Sequence, residues 1–529
     1  MNRKQLRIIA FSSLFLFSLL FGVQFVRLTE ANIMPVPKPQ PAFTIRSDGS
    51  VDPPTAPIQR NGEIYTLTDN IAGYTIAIER DNVTLDGGGY TLQGNGDSTG
   101  VFVNNQNGIT VKNMEIRNHF YGIRLLTDLY MDEITGNHIV TGNNITNNNY
   151  GIYLGYSSNN VFRNNQMNDN TVSLSITYSS LGSISSSFAH DIDTSNTVNG
   201  KPVYYWVNQQ NKDVPLDAGY VGLINCKNIL VQNLDLTSDS QAVLLVSTTY
   251  STITKNNITN NGDQGICLYK SSSNSISESN ITNNANNGIY LYQSSNNTIS
   301  QNIITENNQN GIYLFDSSNN RINGNTITLN NQGIHVYSSS ANNSVVGNSV
   351  TKSTAYGISL DWAHNNFVSE NYIAENGRGI LVIDSSNNRL IGNTVKENNG
   401  WGIRLERLQK NNIIYHNYFI DNKVEEGLQV SIPRLWGPGW EDGNPNVWDD
   451  GEKGNYWSDY LTRYSNATEI GDSGIGDTPF YINPNNIDRH PVMRGNVIPE
   501  FPSWTLTLLS LTIIAVSLVC YRRKLCEKR

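Results

Sequence analysis

Residues 288–310 read GIYLYQSSNNTISQNIITENNQN, and this stretch recurs with small changes along the middle of the chain. A repeat of this length is typical of solenoids, in which each copy forms one coil and buries its apolar face against its neighbours. The repeat therefore predicts one elongated body rather than several globular domains. The glycines that begin successive copies, 22 to 24 residues apart, are Gly265, Gly288, Gly311, Gly333, Gly357, Gly379 and Gly402.

Apolar residues alternate with other residue types inside each copy. Ile289 and Leu291 flank Tyr290, and Ile312 and Leu314 repeat the pattern one copy later. Alternation predicts strands with one buried face, and no copy has room for a helix of ten residues. We therefore expect an all-β parallel β-helix of about 14 coils, each roughly 23 residues long, with neighbouring coils about 4.8 Å apart.

Asparagines recur at fixed places between the strands. Asparagine tolerates left-handed backbone angles, and asparagines in register can hydrogen bond from coil to coil as a ladder. We therefore assign these residues a structural role rather than a binding role. One series of pairs begins with Asn296–Asn297, Asn319–Asn320 and Asn342–Asn343, and a second series begins with Asn302, Asn325 and Asn348.

The rest of the chain divides by composition. The β-helix is predicted over 61–430, with an insertion at 178–217 that lacks the repeat and is expected to form a loop or hairpin against the solenoid. A proline-rich leader is predicted over 32–60. Residues 431–495 are rich in Trp, Gly and Asp, which indicates a separate C-terminal module.

Both ends of the chain carry membrane signals. Basic residues followed by an apolar run predict a signal peptide over 1–31. A linker over 496–503 leads to an apolar stretch, 504–521, that is long enough to span a bilayer as a helix. The basic tail, 522–529, is expected to stay in the cytoplasm. The β-helix is therefore predicted to lie outside the cytoplasm, anchored to the membrane at its C-terminus.

Charge and cysteine content exclude several classes of protein. Charged residues make up only 15% of the chain and its net charge is −9, so we expect no nucleic-acid partner. Four cysteines, Cys226, Cys267, Cys520 and Cys526, form neither a disulfide framework nor a metal-binding spacing. Buried free thiols are the expected state of Cys226 and Cys267, although a bridge between them stays open.

Two columns of outward residues on the repeated strand predict a binding surface. Exposed aromatic rings that end in polar groups suit an extended polysaccharide, because sugar faces stack on rings. Tyrosine is also simply a good residue for an exposed strand, and the 178–217 insertion could instead cover the surface. The residues predicted to contact a ligand are Tyr269, Tyr290, Tyr292, Tyr313, Phe315, His335, Tyr337 and Arg404.

Catalysis and metal binding rest on fewer residues. Asp361 and Glu406 lie two coils apart in one column, about 9–10 Å, which is at the outer edge of the separation used by inverting glycosidases. Surface carboxylates on a solenoid are commonly just solvated, so whether the chain is an enzyme stays open. Asp472 and Asp477, in the loop GDSGIGDTP, predict a calcium site. Scattered histidines and few methionines do not support copper binding.

Two coils, GIYLYQSSNNTI and GIYLFDSSNNRI, and the motifs GNYWSDY at 454–460 and GIGDTP at 474–479 resemble the NosD-type right-handed β-helix proteins. Their repeats belong to a class named for carbohydrate-binding proteins and sugar hydrolases. The resemblance implies a right-handed, single-stranded parallel β-helix over roughly 42–495. The family is named for periplasmic copper binding, but this chain shows no matching ligand cluster.

Other segments resemble surface proteins of archaea. The stretch 45–76 and the motif DIDTSNTVNGKPVYYW at 191–206 are similar to archaeal members of the family. The triplet Pro499–Glu500–Phe501, before the apolar stretch, resembles an archaeal PEF-type sorting signal. That resemblance implies that the apolar helix is removed and replaced by a lipid anchor.

Three functions follow as hypotheses. The first is a cell-surface β-helix protein without catalytic activity that binds an extracellular glycan or an envelope component. The second is a hydrolase or lyase that acts on polysaccharides through Asp361 and Glu406. The third is a NosD-like accessory protein for copper.

Overall fold

The computed structural model describes residues 41–128, 135–177, 188–407, 409–423, 429–433 and 445–494. The predicted signal peptide, linker, transmembrane stretch and basic tail lie outside these residues. Within the described residues, no helix is both long enough and apolar enough to cross a membrane.

The described chain winds into about 15 coils, close to the 14 predicted. Most coils contribute one strand to each of three parallel sheets, which we call face 1, face 2 and face 3. Ile289 and Leu291 are fully buried, and they stack directly on Ile312 and Leu314 of the next coil. Each coil thus extends the same apolar columns, and burial of this surface favours stacking of the coils. The predicted all-β parallel architecture is confirmed.

An N-terminal arm contains the coils before residue 199. Face 1 of this arm consists of Ala42–Ile45, Thr75–Ile78, Thr99–Asn104, Tyr121–Leu126, Tyr150–Gly155 and Val172–Thr177, with Val51–Asp52 paired antiparallel at its edge. Face 2 consists of Ile58–Asn61, Ile64–Leu67, Thr84–Asp86, Thr110–Lys112, Ile139–Thr141, Val161–Arg163 and Asp191–Ile192. Face 3 consists of Ile71–Ala72, Thr91–Gln93, Glu115–Arg117, Asn144–Thr146, Gln166–Asn168 and Thr197–Val198.

A C-terminal arm contains the regular repeats. Its face 1 consists of Lys201–Val207, Tyr220–Ile224, Val243–Val246, Ile266–Tyr269, Ile289–Tyr292, Asn310–Phe315, Gln332–Tyr337, Tyr356–Asp361, Arg378–Ile383, Ile403–Glu406 and Val430–Ser431. Face 2 consists of Gln210–Asp213, Lys227–Gln232, Thr252–Thr254, Ser275–Ser277, Thr298–Ser300, Arg321–Asn323, Ser344–Val346, Phe367–Ser369, Arg389–Ile391 and Ile413–Tyr415. Face 3 consists of Asp235–Leu236, Asn257–Thr259, Asn280–Thr282, Ile303–Thr305, Thr326–Thr328, Ser349–Thr351, Tyr372–Ala374, Thr394–Lys396, Tyr418–Ile420 and Tyr456–Trp457.

Glycine leads each repeat because neighbouring coils approach closely there. A Cβ atom on Gly311 would lie 2.6 Å from Cγ2 of Ile327 and 2.8 Å from the carbonyl oxygen of Gly333. These distances are shorter than van der Waals contact, so a larger residue would push the coils apart. The glycine spacing seen in the sequence therefore reports the coil-to-coil packing.

Asparagine ladders join the coils, as predicted. Nδ2 of Asn297 donates to Oδ1 of Asn320 at 3.2 Å, and Nδ2 of Asn320 donates to Oδ1 of Asn343 at 3.1 Å. Nδ2 of Asn320 also donates to the carbonyl of Ser294 at 3.0 Å. These asparagine side chains are buried, and Nδ2 of Asn320 donates both of its hydrogens. The preceding Asn296 forms the corner of the coil with a φ of 60°.

The two arms meet at one joint, where face 1 of the first C-terminal coils covers the core at the end of the N-terminal arm. Face 3 of the N-terminal arm continues into face 1 of the C-terminal arm through the antiparallel pairing of Val198 with Lys201. The core of the N-terminal arm is closed by face 1 residues from the first coils of the C-terminal arm, among them Tyr220, Leu244, Val246, Cys267 and Tyr269. The beginning of the C-terminal face 1 is therefore an internal contact between the arms.

The structure moves two of the predicted boundaries. Ala42–Ile45 lies inside the predicted leader but pairs in parallel with Thr75–Ile78, so the β-helix begins at residue 42. The predicted insertion does contain a hairpin at 197–202, but Lys201–Val207 also pairs in parallel with Tyr220–Ile224. The described part of the insertion is therefore built into the coils.

The C-terminal module closes the solenoid. Tyr456–Trp457 adds a last parallel strand to face 3. The ring of Trp457 stacks on Phe419 at 4.6 Å and on Phe480 at 4.4 Å between ring centroids. A short helix, Tyr460–Arg463, and a hairpin of Phe480–Asn483 with Asn486–Asp488 complete this end. An aromatic plug of this kind shields the apolar columns from water, as capping repeats do in other solenoids.

Candidate functional site

Face 1 of the C-terminal arm presents six outward rings, which we call the aromatic strip. Their side chains alternate with the buried Ile, Leu and Val residues, so strand pairing places them in two columns. All six are half-buried. One column contains Tyr290, Tyr313 and His335, and the other contains Tyr292, Phe315 and Tyr337.

The rings stack on one another along each column. Tyr290 and Tyr313 have ring centroids 5.2 Å apart with planes 18° apart, and Tyr313 and His335 lie 5.0 Å apart at 20°. In the other column, Tyr292 and Phe315 lie 5.4 Å apart at 17°. Because the rings stack along the columns, a ligand on this face meets a row of partly covered rings, four of which are tyrosines.

The second column ends with a turned ring. Tyr337 makes an angle of 61° with Phe315 at 5.4 Å, in contrast to the parallel stacking before it. Burial lowers the pKa of His335 to about 4 and raises that of Tyr313 above its usual range. Both side chains are therefore uncharged at neutral pH, and the strip as a whole is a neutral surface.

The strip is shorter than the sequence predicted. Tyr269 was expected to belong to the exposed surface, but it is buried, and the ring of Phe188 stacks on it at 5.6 Å. Cys267, in the same strand, is fully buried as a free thiol, and so is Cys226. The physical reason is the joint between the arms, which covers the first outward residues of face 1.

Beyond Tyr337 the same columns become charged. Asp361 follows Tyr337 in register, and Glu406 lies two coils further on in that column. Asp384 forms an ion pair with Arg407 at 3.2 Å. Arg404 pairs with Glu406, and its guanidinium lies 4.1 Å from the ring centroid of Trp401. The structure thus brings Arg404 close to Glu406.

Asp361 has an unusual ionisation. Burial is the largest cause of its raised pKa, which lies at about 6, and the carboxylate of Asp384 adds to the effect. Arg407 acts in the opposite direction. The side chain of Glu406 is close enough to act on Asp361, at a separation of about 9–10 Å along the sheet. A carboxyl group of this kind can hold a proton near neutral pH, as a general acid requires.

Four further residues near Asp361 and Arg404 were not predicted from the sequence. Trp362 is 55% exposed on the corner next to Asp361. Arg378 lies 5.3 Å from the ring centroid of Tyr356 and 5.4 Å from that of Trp401. Tyr356, Arg378 and Trp401 each immediately precede a repeat glycine, and that shared position was the signal that could have identified them.

The predicted calcium site has few free ligands. Both oxygens of Asp477 accept hydrogen bonds, from the backbone amide of Thr468 at 3.0 Å and from its hydroxyl at 2.7 Å. Asp472 is exposed and lies four residues before Gly476. Across the ranges that the structure describes, no group of three His, Cys, Asp or Glu side chains is arranged to hold a metal ion.

The histidines do not match a copper site. His119 and His138 are buried, and burial lowers the pKa of each to about 4. His119 bonds to the hydroxyl of Ser98 at 2.8 Å, while Nδ1 of His138 faces the amide of Ile109 at 3.2 Å. These two imidazoles serve the packing of the coils. Among the residues that the structure describes, no group of three His, Cys, Asp or Glu side chains is arranged to hold copper.

Two family models match the chain. The model described as right handed beta helix region matches residues 75–201 and 217–350. The model described as periplasmic copper-binding protein (NosD) matches residues 309–462, which include the end of the aromatic strip and the charged residues beyond it. No curated protein has a sequence that matches this chain.

Solved structures resemble the chain only distantly. A mannuronan C-5 epimerase A-module of Azotobacter vinelandii has 14% identity and a TM-score of 0.36, covering 70% of this chain and 91% of the module. A periplasmic alginate epimerase has 11% identity and a TM-score of 0.35, covering 74% and 79%. Tailspike protein 2 of Escherichia coli O157:H7 bacteriophage CAB120 has 14% identity and a TM-score of 0.34, covering 55% and 43%. Similarities at this level carry no argument about activity.

Proposed function

We propose that this chain, which belongs to the right-handed β-helix repeat proteins and carries a NosD-type segment, binds a glycan along its aromatic strip without modifying it. The observation that carries the proposal is the pair of stacked aromatic columns on one outward face. Aromatic rings offer sugars apolar contact, and tyrosine side chains can also form hydrogen bonds with sugar hydroxyl groups.

The shape of the strip favours an extended ligand. Tyr290 and Tyr313 lie one coil apart, so the strip advances about 4.8 Å with each coil. From Tyr290 to Asp361 the columns pass across four coils, about 14 Å, which matches a short run of sugar units in length. A polysaccharide could lie along the solenoid axis and reach the charged residues. An envelope component that is itself a glycan polymer satisfies the same description.

A second candidate function is cleavage of the bound polysaccharide, either by hydrolysis or by a lyase reaction. The observation that favours it is the raised pKa of Asp361 at the end of the strip, with Glu406 two coils away. The separation of about 9–10 Å would place a water molecule between the two carboxyl groups, as inverting glycosidases require. In such an enzyme Asp361 is the acid and Glu406 the base.

The cellular location is part of the proposal. The apolar stretch at 504–521 and the leading apolar run predict a protein outside the cytoplasm, held to the membrane at its C-terminus. The name of the matching family model also refers to the periplasm. Alkaline carbonate extraction of membranes tests the anchor, because an anchored protein stays in the membrane pellet and a peripheral one is released.

A glycan array tests the binding proposal. The purified full-length protein should bind a defined subset of glycans, and the double variant Tyr292→Ala/Phe315→Ala should lose those signals. Tyr250→Ala is the matched control, because Tyr250 is 60% exposed but lies outside the strip. Equal binding by the double variant and the wild type contradicts the proposal. Release of reducing ends from the bound glycan, abolished in Asp361→Ala, favours the second candidate.

A further inference from the structure

A set of buried oxygen atoms without partners lies at the joint between the two arms. Asp239 is fully buried, and within the described residues neither of its carboxylate oxygens has a hydrogen-bond partner. Among the described residues no lysine, arginine or histidine is paired with this carboxyl group, and the one interaction that favours its charged form comes from the backbone of Leu174. A buried carboxylate with so little compensation is strongly unfavourable, so a further compensating group is expected.

The asparagine ladder shows why Asp239 is out of place. Its backbone amide donates to Oδ1 of Asn261 at 3.3 Å, which makes it the first member of a ladder. Asn261 continues the series by donating from Nδ2 to Oδ1 of Asn284 at 2.8 Å. An asparagine at position 239 would supply a donor to this ladder. The carboxylate of Asp239 has no such donor.

Buried hydroxyl groups from both arms lie near the same position. The amide of Ser173 donates to the carbonyl of Ser238 at 2.6 Å, and the amide of Ser240 donates to the carbonyl of Leu174 at 3.2 Å. Asp239 is therefore tied between these two bonds to the last strand of face 1 in that arm. The hydroxyl oxygens of Ser173, Ser175 and Tyr220 are buried and have no partners in the described residues.

Amide oxygens complete the set from the C-terminal arm. Oε1 of Gln241 and Oε1 of Gln264, one coil apart, are buried without partners in the described part of the chain. Asp263 lies beside them, because its amide donates to the Ser240 carbonyl at 2.9 Å and its carboxylate accepts from Nε2 of Gln241 at 3.2 Å. Asp263 is half-buried and Asp239 is fully buried, so two carboxyl groups of different exposure lie in neighbouring coils at this joint.

The chemistry of these atoms separates a proton from a metal ion. Carboxylate and carboxamide oxygens are pure acceptors, and a single proton on Asp239 would satisfy at most one of them. The hydroxyl groups of Ser173, Ser175 and Tyr220 carry donors, but within the described residues none of them donates to these oxygens. Hydroxyl and carbonyl oxygens together with a carboxylate are the ligands of hard cations. We infer that Asp239 binds a hard cation, of the calcium or sodium class, at the joint between the arms, with Ser173, Ser175, Tyr220, Gln241 and Gln264 as the available neutral oxygens.

Such an ion would tie the arms together. The carboxylate comes from the C-terminal arm and the serine hydroxyls from the N-terminal arm, so cation binding adds to the free energy of keeping the joint closed. The joint also covers Tyr269 and thereby sets where the aromatic strip begins. The inference is independent of glycan binding, because none of its residues belongs to the strip.

Calcium content and thermal unfolding of the full-length protein test the inference. After dialysis against trace calcium, the wild type should retain about one ion per chain by elemental analysis, and calcium should raise its melting temperature above that in a chelator. Asp239→Asn should lose the bound ion and the calcium response. Asp235→Asn is the matched control, because it removes an exposed carboxylate from the same coil and should keep both.

The responses to sodium and calcium show whether Asp239 binds a cation and which charge that cation carries. If sodium produces the same rise as calcium and Asp239→Asn abolishes it, the inference holds with a monovalent ion. If the wild type retains no ion and neither cation moves its melting temperature, the inference is wrong. In that case Asp239 is a buried neutral acid, and Asp239→Asn should raise the melting temperature without any cation, since the asparagine completes the ladder.

Discussion

Phe188 stacks on Tyr269 with 5.6 Å between ring centroids, and this contact fixes where the exposed aromatic strip begins. Both rings are buried in the core that closes the N-terminal arm. Tyr290, one coil further on, is the first ring of the strip that solvent reaches. The joint between the arms therefore both buries apolar surface and limits the length of the candidate binding surface.

Removing the Phe188 ring tests the energetic role of the joint. Phe188→Ala should lower the free energy of unfolding by about 3 kcal/mol, because it leaves a cavity in a core where the ring is fully buried. Urea unfolding followed by circular dichroism measures the change. Tyr250→Ala, at an exposed corner, should change it by less than about 0.5 kcal/mol. A loss at Phe188 no larger than that of the control would show that the ring does not stabilise the joint.

The asparagine ladder predicts a cost for removing one amide. Asn320→Ala should destabilise the protein by about 2–3 kcal/mol. The backbone amide of Asn297 loses its acceptor, and the two hydrogen bonds that Nδ2 of Asn320 donates disappear. Asn308→Ala is the control, because Asn308 is exposed and outside the ladder. Chemical denaturation of both variants gives the comparison. Similar stability of the two variants would mean that the ladder contributes little.

Ser353 offers the opposite test, in which stability should rise. It takes an asparagine position in the ladder, where its amide donates to Oδ1 of Asn376 at 2.8 Å, but its buried hydroxyl has no partner in the described residues. Ser353→Asn should bridge Asn330 and Asn376 and raise the free energy of unfolding by about 1 kcal/mol. Thermal unfolding measures it. A lower melting temperature would mean that the larger side chain does not fit between the coils.

Asp361 should make stability depend on pH. Folding raises its pKa from near 4 to about 6, so the native state holds the proton in this window and the free energy of unfolding falls as the pH rises through it. Above about pH 7 both states are deprotonated and the contribution is constant. The fall should be about 1 kcal/mol, because partial exposure screens the effect, and it should be absent in Asp361→Asn.

The control for this pH effect is Asp316→Asn, which removes an exposed carboxylate two coils before Asp361. Unfolding free energies at pH 4, 5, 6 and 7 should show the wild-type slope in this control. Identical slopes in Asp361→Asn and the wild type would contradict the raised pKa of Asp361, and with it the main support for a catalytic role.

The sequence was enough for the architecture because each coil repeats the same physical solution. Alternation identified the buried Ile289 and Leu291, and the glycine spacing reflected the close approach at Gly311. The asparagine register predicted the bonds of Asn320. Each of these is a local pattern or a contact between neighbouring coils, which the repeat period makes visible.

Contacts outside the repeat were not visible in the sequence. The burial of Tyr269 depends on Phe188, which lies far away along the chain in a segment without the repeat pattern. The stacking of Tyr290 on Tyr313 is a rotamer choice, and the alternation of residue types does not reveal it. Burial is the largest cause of the raised pKa of Asp361, and the carboxylate of Asp384 in the next coil adds to it; neither the burial nor this proximity is visible in the repeat pattern.

Isothermal titration calorimetry measures the affinity of the protein for a glycan without a label or a surface. With a glycan selected on the array, the wild type and Tyr250→Ala should bind with equal affinity. Tyr292→Ala/Phe315→Ala should bind at least tenfold more weakly, because two of the three rings in one column of the strip are removed. Unchanged affinity in the double variant would contradict the account and place any glycan site elsewhere on the solenoid.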